Sequence, residues 1–140
     1  MSRGLKITFF AHMLVALAFG LLFLISPDLY ARIANYGPVD PIITRAMGVA
    51  ALGLAFSSWL AFRAVQWDEI RIVLEMEVFY AVLMTATLTL IMVFTPAPMF
   101  TLVPLTAHLL FAIAFVYWFV TAPRAAGESP GPTLGMPSPR

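Results

Sequence analysis

Three ionisable side chains of this sequence stand inside long apolar stretches, where such groups are rare. Glu77, His12 and His108 each have apolar residues on both sides. A charged side chain within a bilayer costs about 2.5 to 3.5 kcal/mol on insertion scales, so each of these ionisable groups requires a partner, water or a function. The chemistry open to these residue types is the binding of a proton or of a small ligand through hydrogen bonds.

Glu77 and His12 are predicted to lie at the same depth. Counted from the span ends on one side of the membrane, both are about 10 Å deep at about 1.5 Å per residue. The neighbours of Glu77 at i−4 and i+4 are apolar, and Tyr80 lies at i+3. The sequence therefore predicts a contact between Glu77 and His12. This contact is either a polar pair that fixes helix register or a proton- or ligand-binding site that includes Tyr80.

Arg45 and His108 extend this polar pattern toward the other surface. By the same count His108 lies about 20 Å and Arg45 about 27 Å from the first side. Arg45 is expected to reach the outer surface, or to pair with Asp28 or Asp40 of the outer loop. His108 is expected to be a hydrogen-bonded core residue, or to reach toward Arg45 through water. Together these groups would form a sparse polar ladder across the protein.

Glu75 is expected to have a different role from Glu77, because two positions along a helix point to nearly opposite sides. Arg71 lies four residues before it and predicts a structural ion pair at the membrane interface. Nucleophile triads, phosphate-binding loops, nucleotide-binding glycines and paired catalytic carboxylates are missing from the sequence. Zero Cys excludes thiolate chemistry, and no metal site is predicted. These features favour a protein without enzymatic activity.

The composition identifies the kind of element that must position these residues. Of 140 residues, 61% are hydrophobic and 11% are charged, against about 25% charged in ordinary soluble proteins. So much apolar surface exceeds what a core of this size could hide, which predicts an integral membrane protein. A net charge of +1 is too small to indicate that the protein binds a nucleic acid. The expected partners are the lipid bilayer and, further, a membrane protein or a second copy of this chain.

Four apolar stretches are long enough to cross a hydrocarbon core of about 30 Å as helices. They cover about residues 7–26, 41–63, 70–94 and 99–121. The second begins at Asp40-Pro41, the third follows Asp68-Glu69, and Thr95-Pro96-Ala97-Pro98 separates the third from the fourth. The predicted fold class is all-α, a bundle of four transmembrane helices within residues 1–122.

Two segments outside the spans have their own signals. Residues 28–36 are predicted to form a short helix on the bilayer surface, with Leu29, Ile33 and Tyr36 on one face and Gly37 as its stop. Residues 123–140 contain five Pro and three Gly, a composition that predicts a disordered tail.

The distribution of Lys and Arg predicts the orientation. With the N-terminus inside, the inner side has six basic residues and the outer side has two, Arg32 and Arg45. Both termini are therefore expected in the cytoplasm, with the chain in the plasma membrane. The six inner residues are Arg3, Lys6, Arg63, Arg71, Arg124 and Arg140.

Small residues predict which helix faces pack together, because helices in lipid associate through close approach. His12, Ala16 and Gly20 recur every four residues in the first span. The second span is expected to be central, with one small-residue stripe and a second set beside it. The stripe is Ala46, Ala50, Gly53, Ser57 and Ala61, and the set beside it is Gly48, Ala51, Ala55 and Ser58.

The order of these features resembles the DoxX-like group of small four-helix bacterial membrane proteins. The matching residues are Pro27-Asp28, the short outer segment, Asp40-Pro41, Arg45 with Gly48, and Trp59. The resemblance covers roughly residues 5–121. Some members of that group are similar to accessory subunits of quinone-linked redox enzymes, so the resemblance implies a lipophilic ligand or a partner protein.

The expected function is that of a non-enzymatic membrane module, either a scaffold or a binder of a small lipophilic molecule near Glu77, His12 and Tyr80. A proton-coupled carrier or small channel is one alternative. A redox subunit that holds quinone or haem is another. The different predicted depths of His12 and His108 argue against a haem iron between them.

Overall fold

The computed structural model describes residues 2–126, which are helical without any strand. The elements are α1 (Arg3–Ile25), α2 (Pro27–Ala34), α3 (Pro41–Arg63), α4 (Trp67–Phe94), a short 3-10 helix (Met99–Thr101) and α5 (Leu102–Ala126). Four helical stretches are long and apolar enough to cross a membrane, namely α1, α3, α4 and the last one from Met99 to Ala122. The prediction of an all-α fold with four helices long and apolar enough to span a membrane is confirmed.

Three helix ends differ from the predicted ones by three residues or more. α1 begins at Arg3, four residues earlier than predicted. The fourth span runs on as helix to Ala126, so residues 123–126 of the predicted tail are helical. The rest of that tail, residues 127–140, lies outside the described residues. α4 begins at Trp67, three residues earlier than predicted, because the carboxylate of Glu69 caps it. Oε2 of Glu69 accepts from the backbone N–H groups of Val65 at 2.9 Å and Gln66 at 3.1 Å.

α2 ends earlier than predicted. Asn35, rather than Gly37, stops the helix, because Asn35 takes a left-handed backbone conformation with φ 52°. The hydroxyl of Tyr36 then lies 2.6 Å from Oγ1 of Thr101. This hydrogen bond ties the segment after α2 to the 3-10 helix.

The four long helices form two close pairs, α1 with α3 and α4 with α5. On α1 the predicted stripe of His12, Ala16 and Gly20 is buried. At Gly48 of α3 the backbones touch, since a Cβ there would lie 2.9 Å from the carbonyl oxygen of Gly20. α3 is therefore one member of a pair rather than the central helix. Its buried residues come mostly from the set beside the predicted stripe and are Thr44, Gly48, Ala55, Ser58 and Ala61.

The tightest packing lies at one end of the bundle, which we call the packed half. It contains the start of α1, the end of α3, the start of α4 and the end of α5. Phe9 and Phe115 are fully buried there, with ring centroids 5.3 Å apart. The opposite half, in which α1 ends and α5 starts, is called the cavity half. Apolar residues that fill the packed half are Leu5, Phe9, Ala61, Ile70, Leu74 and Phe115.

Candidate functional site

A buried polar cluster lies where the packed half ends. Glu77 of α4 is only 1% exposed. Two adjacent serines of α3 reach the same carboxylate oxygen, Oε1, with Ser57 Oγ and Ser58 Oγ each 3.1 Å away. Ser57 Oγ also lies 2.9 Å from the carbonyl oxygen of Leu54, so its one hydrogen is shared between two acceptors. Neighbouring hydroxyls thus hydrogen-bond one of the two oxygens of this buried carboxyl group.

His12 of α1 completes the cluster. Its Nδ1 lies 2.8 Å from Ser58 Oγ and 3.6 Å from Oε2 of Glu77. The structure therefore brings His12 and Glu77 together, as the depth count predicted, with Ser58 joining them. Sequence reasoning assigned Ser58 to helix packing alone. The signal that could have identified it is its place on the small-residue face at the same depth as His12.

The second oxygen of Glu77 has no hydrogen bond. Among the side chains of residues 2–122, Oε2 of Glu77 is the only buried nitrogen or oxygen atom without a partner. Such an atom costs about 1 to 3 kcal/mol in lost hydration. The 3.6 Å to His12 Nδ1 exceeds a hydrogen-bond length. The cluster therefore has a spare acceptor and can take up a proton.

A cavity of about 430 Å³ opens beside this cluster in the cavity half. Its volume falls within the range of about 300 to 1,000 Å³ that is typical of small-molecule sites. The walls are mostly apolar, and five of the residues that line the cavity have polar atoms on aromatic side chains: His12, Tyr30, Tyr36, Tyr80 and His108. Apolar lining residues include Ala16, Phe19, Leu54, Met84, Leu88 and Phe111. The cavity thus resembles a site for a lipophilic molecule with a polar group.

His108 and Tyr80 face each other across the α4–α5 pair, with ring centroids 5.9 Å apart. Nδ1 of His108 lies 2.7 Å from the carbonyl oxygen of Pro104 on its own helix. Of the two alternatives predicted for His108, a hydrogen-bonded core residue or a residue that reaches toward Arg45, the structure therefore agrees with the first. Both rings line the cavity.

Arg45 does not belong to this site. It is exposed on α3 and is not among the residues that line the cavity. It makes no ion pair within residues 2–126, including with Asp28 or Asp40. The predicted polar ladder therefore ends at His108. One turn inside α3, Arg45 faces away from the cavity, because the α3 residues that line it, among them Met47, Ala51 and Leu54, lie on the opposite side of this helix.

The remaining predicted pair is present at the surface. Nε of Arg71 donates to Oε1 of Glu75 at 2.9 Å, and both side chains are exposed. Within residues 2–126 there is no group of three or more His, Cys, Asp or Glu side chains that could hold a metal ion.

Comparison of the chain with protein-family models, with curated proteins and with solved structures gives no match. The resemblance to DoxX-like proteins therefore stays a prediction. The geometry of the cluster and the cavity is the basis for a functional proposal.

Proposed function

We propose that this chain is a multi-pass membrane protein that binds a small lipophilic molecule in the cavity between its two helix pairs. The observation that carries the proposal is the cavity itself, apolar along its walls and polar where His12 and His108 meet it. Apolar walls with a few placed polar groups are the usual design of a small-molecule site. The Glu77 cluster supports the polar end of the cavity, because Ser58 of this cluster hydrogen-bonds Nδ1 of His12 and so orients the imidazole ring.

Two residues of the cavity wall are exposed. Met47 and Ala50 of α3 line the cavity, and Met47 is 51% exposed. Because α3 is one of the four helices long and apolar enough to cross a membrane, we take this side of the cavity to open within the bilayer. A ligand dissolved in the membrane can therefore enter without crossing water, which favours a lipophilic class of ligand.

The packed half argues for binding rather than passage across the membrane. Beyond His12 the interior is closed by Phe9 and Phe115, which are fully buried and in contact. A proton-coupled carrier would require polar groups or water on that side of Glu77. In liposomes, we expect proton flux to stay at the protein-free level for both the unmodified chain and Glu77→Gln.

The proposed module acts without enzymatic chemistry. Its expected setting is the plasma membrane of a bacterium or archaeon, in keeping with the DoxX-like resemblance, and the basic residues favour both termini inside. The lipid bilayer is its solvent, and a membrane protein or a second copy of the chain is a candidate partner. The DoxX-like resemblance is consistent with such an accessory role.

Extraction and mass spectrometry of the purified protein test this function. Ala107→Phe adds a ring to the cavity wall, and Ala46→Phe adds the same ring to an exposed position of α3. We expect one small molecule to be recovered with the unmodified chain and with Ala46→Phe, and to be largely lost with Ala107→Phe. Equal recovery from all three, or none from any, would contradict the proposal. The visible spectrum of the same samples tests the haem alternative.

A further inference from the structure

The hydrogen bond of His108 determines which of its ring nitrogens is left to bind a ligand and whether that atom donates or accepts. Its Nδ1 lies 2.7 Å from the carbonyl oxygen of Pro104. A carbonyl oxygen only accepts, so Nδ1 carries the proton, and Nε2 of the neutral ring carries a lone pair. Nε2 has no partner among residues 2–126 and is not fully enclosed by protein. His108 therefore presents a hydrogen-bond acceptor to the cavity that it lines.

The Glu77 cluster likewise determines which ring nitrogen of His12 carries the proton. The Ser58 hydroxyl donates to Oε1 of Glu77, so its oxygen accepts from the Nδ1–H of His12, 2.8 Å away. Nε2 of His12 is then also an acceptor. This atom, too, is neither bonded to another described residue nor fully enclosed. Two helices thus present the same unused group, an imidazole lone pair, to one cavity.

We infer that the ligand of this cavity is a phenol, that is, an apolar aromatic ring with a hydroxyl group. This inference rests on the proposed function and names its ligand class. A phenolic O–H can donate to Nε2 of His12 or of His108, and its oxygen can accept from the hydroxyl of Tyr80. A ketone or an ether only accepts and leaves both imidazole lone pairs without a partner.

The apolar part of the cavity suits a flat ring. Phe19, Phe111 and Tyr80 line it, so an aromatic ligand finds aromatic neighbours for edge-to-face or offset contacts. Phe111 already makes such an edge contact with the ring of His12, at 4.7 Å between centroids.

Fluorine NMR with a matched pair of probes tests the ligand class. The probes are 4-(trifluoromethyl)phenol and its methyl ether, which differ in the hydroxyl hydrogen that the imidazoles would accept. Each is titrated into the protein in lipid nanodiscs, and empty nanodiscs correct for partition into lipid. We expect the phenol to bind about tenfold more tightly than the ether, the effect of one to two hydrogen bonds.

His108→Phe then identifies the acceptor. This variant keeps a ring of similar size and removes the lone pair, while the cluster around Glu77 stays intact. We expect its preference for the phenol to fall to about threefold or less, with ether binding unchanged. Tyr117→Phe, on an exposed face of α5, is the control and should keep the tenfold preference.

The outcomes separate the two proposals. Equal binding of both probes, or tighter binding of the ether, overturns the phenol inference. If that binding saturates and is lost in Ala107→Phe, the proposed lipophile site stands without it. A lack of saturable binding for both probes overturns the two together. A preference that survives unchanged in His108→Phe contradicts the role of this imidazole.

Discussion

The packed half and the cavity half contain the same four helices, yet their interiors differ. In the packed half, Phe9 and Phe115 fill the space between the helix pairs, and neither side chain is exposed. In the cavity half the lining is mostly apolar with five His and Tyr residues, and small residues such as Ala16, Ala50 and Ala107 border a space of about 430 Å³. Side-chain volume at facing positions decides this difference, since helices in lipid gain stability from contact rather than from leaving water.

The polar cluster lies at the boundary between the two halves. The packed half holds Glu77 and Ser58 in place, and His12 is the member of the cluster that also lines the cavity. A rigid part that orients a polar group and an open part that admits a molecule are together the requirements of a binding site. The following substitutions test this division of roles, from the largest expected effect to the smallest.

Phe9→Ala should be the most destabilising change, because it removes a ring from the packed half. We expect the free energy of unfolding to fall by about 3 kcal/mol, as for other large-to-small core substitutions. Phe19→Ala is the matched change on the same helix in the cavity half and should cost less than about 1 kcal/mol, because its ring borders open space. Denaturation in mixed micelles measures both. Equal losses would mean that the two halves are packed alike.

Glu77→Ala should cost about 2 kcal/mol, since it leaves Ser58 and His12 with an incomplete set of hydrogen bonds in a buried place. Glu75→Ala is the control two residues away, where an exposed ion pair contributes at most about 0.5 kcal/mol. The same unfolding assay compares them. A larger loss for the Glu75 variant would contradict the assignment of the buried cluster.

Gly48→Ala should weaken the contact between α1 and α3 by about 1 to 2 kcal/mol, because a Cβ there would lie 2.7 Å from the backbone nitrogen of Leu24. Gly53→Ala on the same helix meets nothing within 4 Å and should be neutral or slightly stabilising. Thermal unfolding in one detergent distinguishes the two. Similar behaviour of both variants would place the close helix contact elsewhere.

Tyr30, in α2 at the mouth of the cavity, predicts a small effect of pH. Burial, with a further contribution from Tyr36, raises the pKa of Tyr30 to about 12. An unfolded tyrosine titrates near pH 10. Between these values the unfolded chain binds fewer protons, so stability falls as pH rises from about 10 to 12 and is unaffected below. Tyr30→Phe should remove the latest phase of the tyrosinate absorbance at 295 nm. An unchanged titration curve would contradict the buried position.

Sequence reasoning succeeded where a single helix contained the information. The four spans follow from apolar length, and the Arg71–Glu75 pair follows from a separation of four residues. Glu77 and His12 could be matched because depth is proportional to residue count. Such counting works across helices only for groups near the same membrane side.

The remaining features depend on how the helices pair, which no local pattern specifies. Arg45 was expected at the end of a polar ladder, but the rotation of α3 turns it away from the cavity. Ser58 entered the site because α3 packs on α1 through the face that includes Gly48. The cavity itself arises where small residues of different helices, such as Ala16, Ala50 and Ala107, come to face one another, which is a property of the assembled bundle.

An experimental structure of the protein extracted from its own membrane, with no ligand added, tests the binding proposal most directly. We predict density of a bound molecule in the cavity, between Phe111 and Tyr80 and within hydrogen-bond distance of His108 or His12. Helix pairs that close against each other and leave no space beside His12 would contradict it.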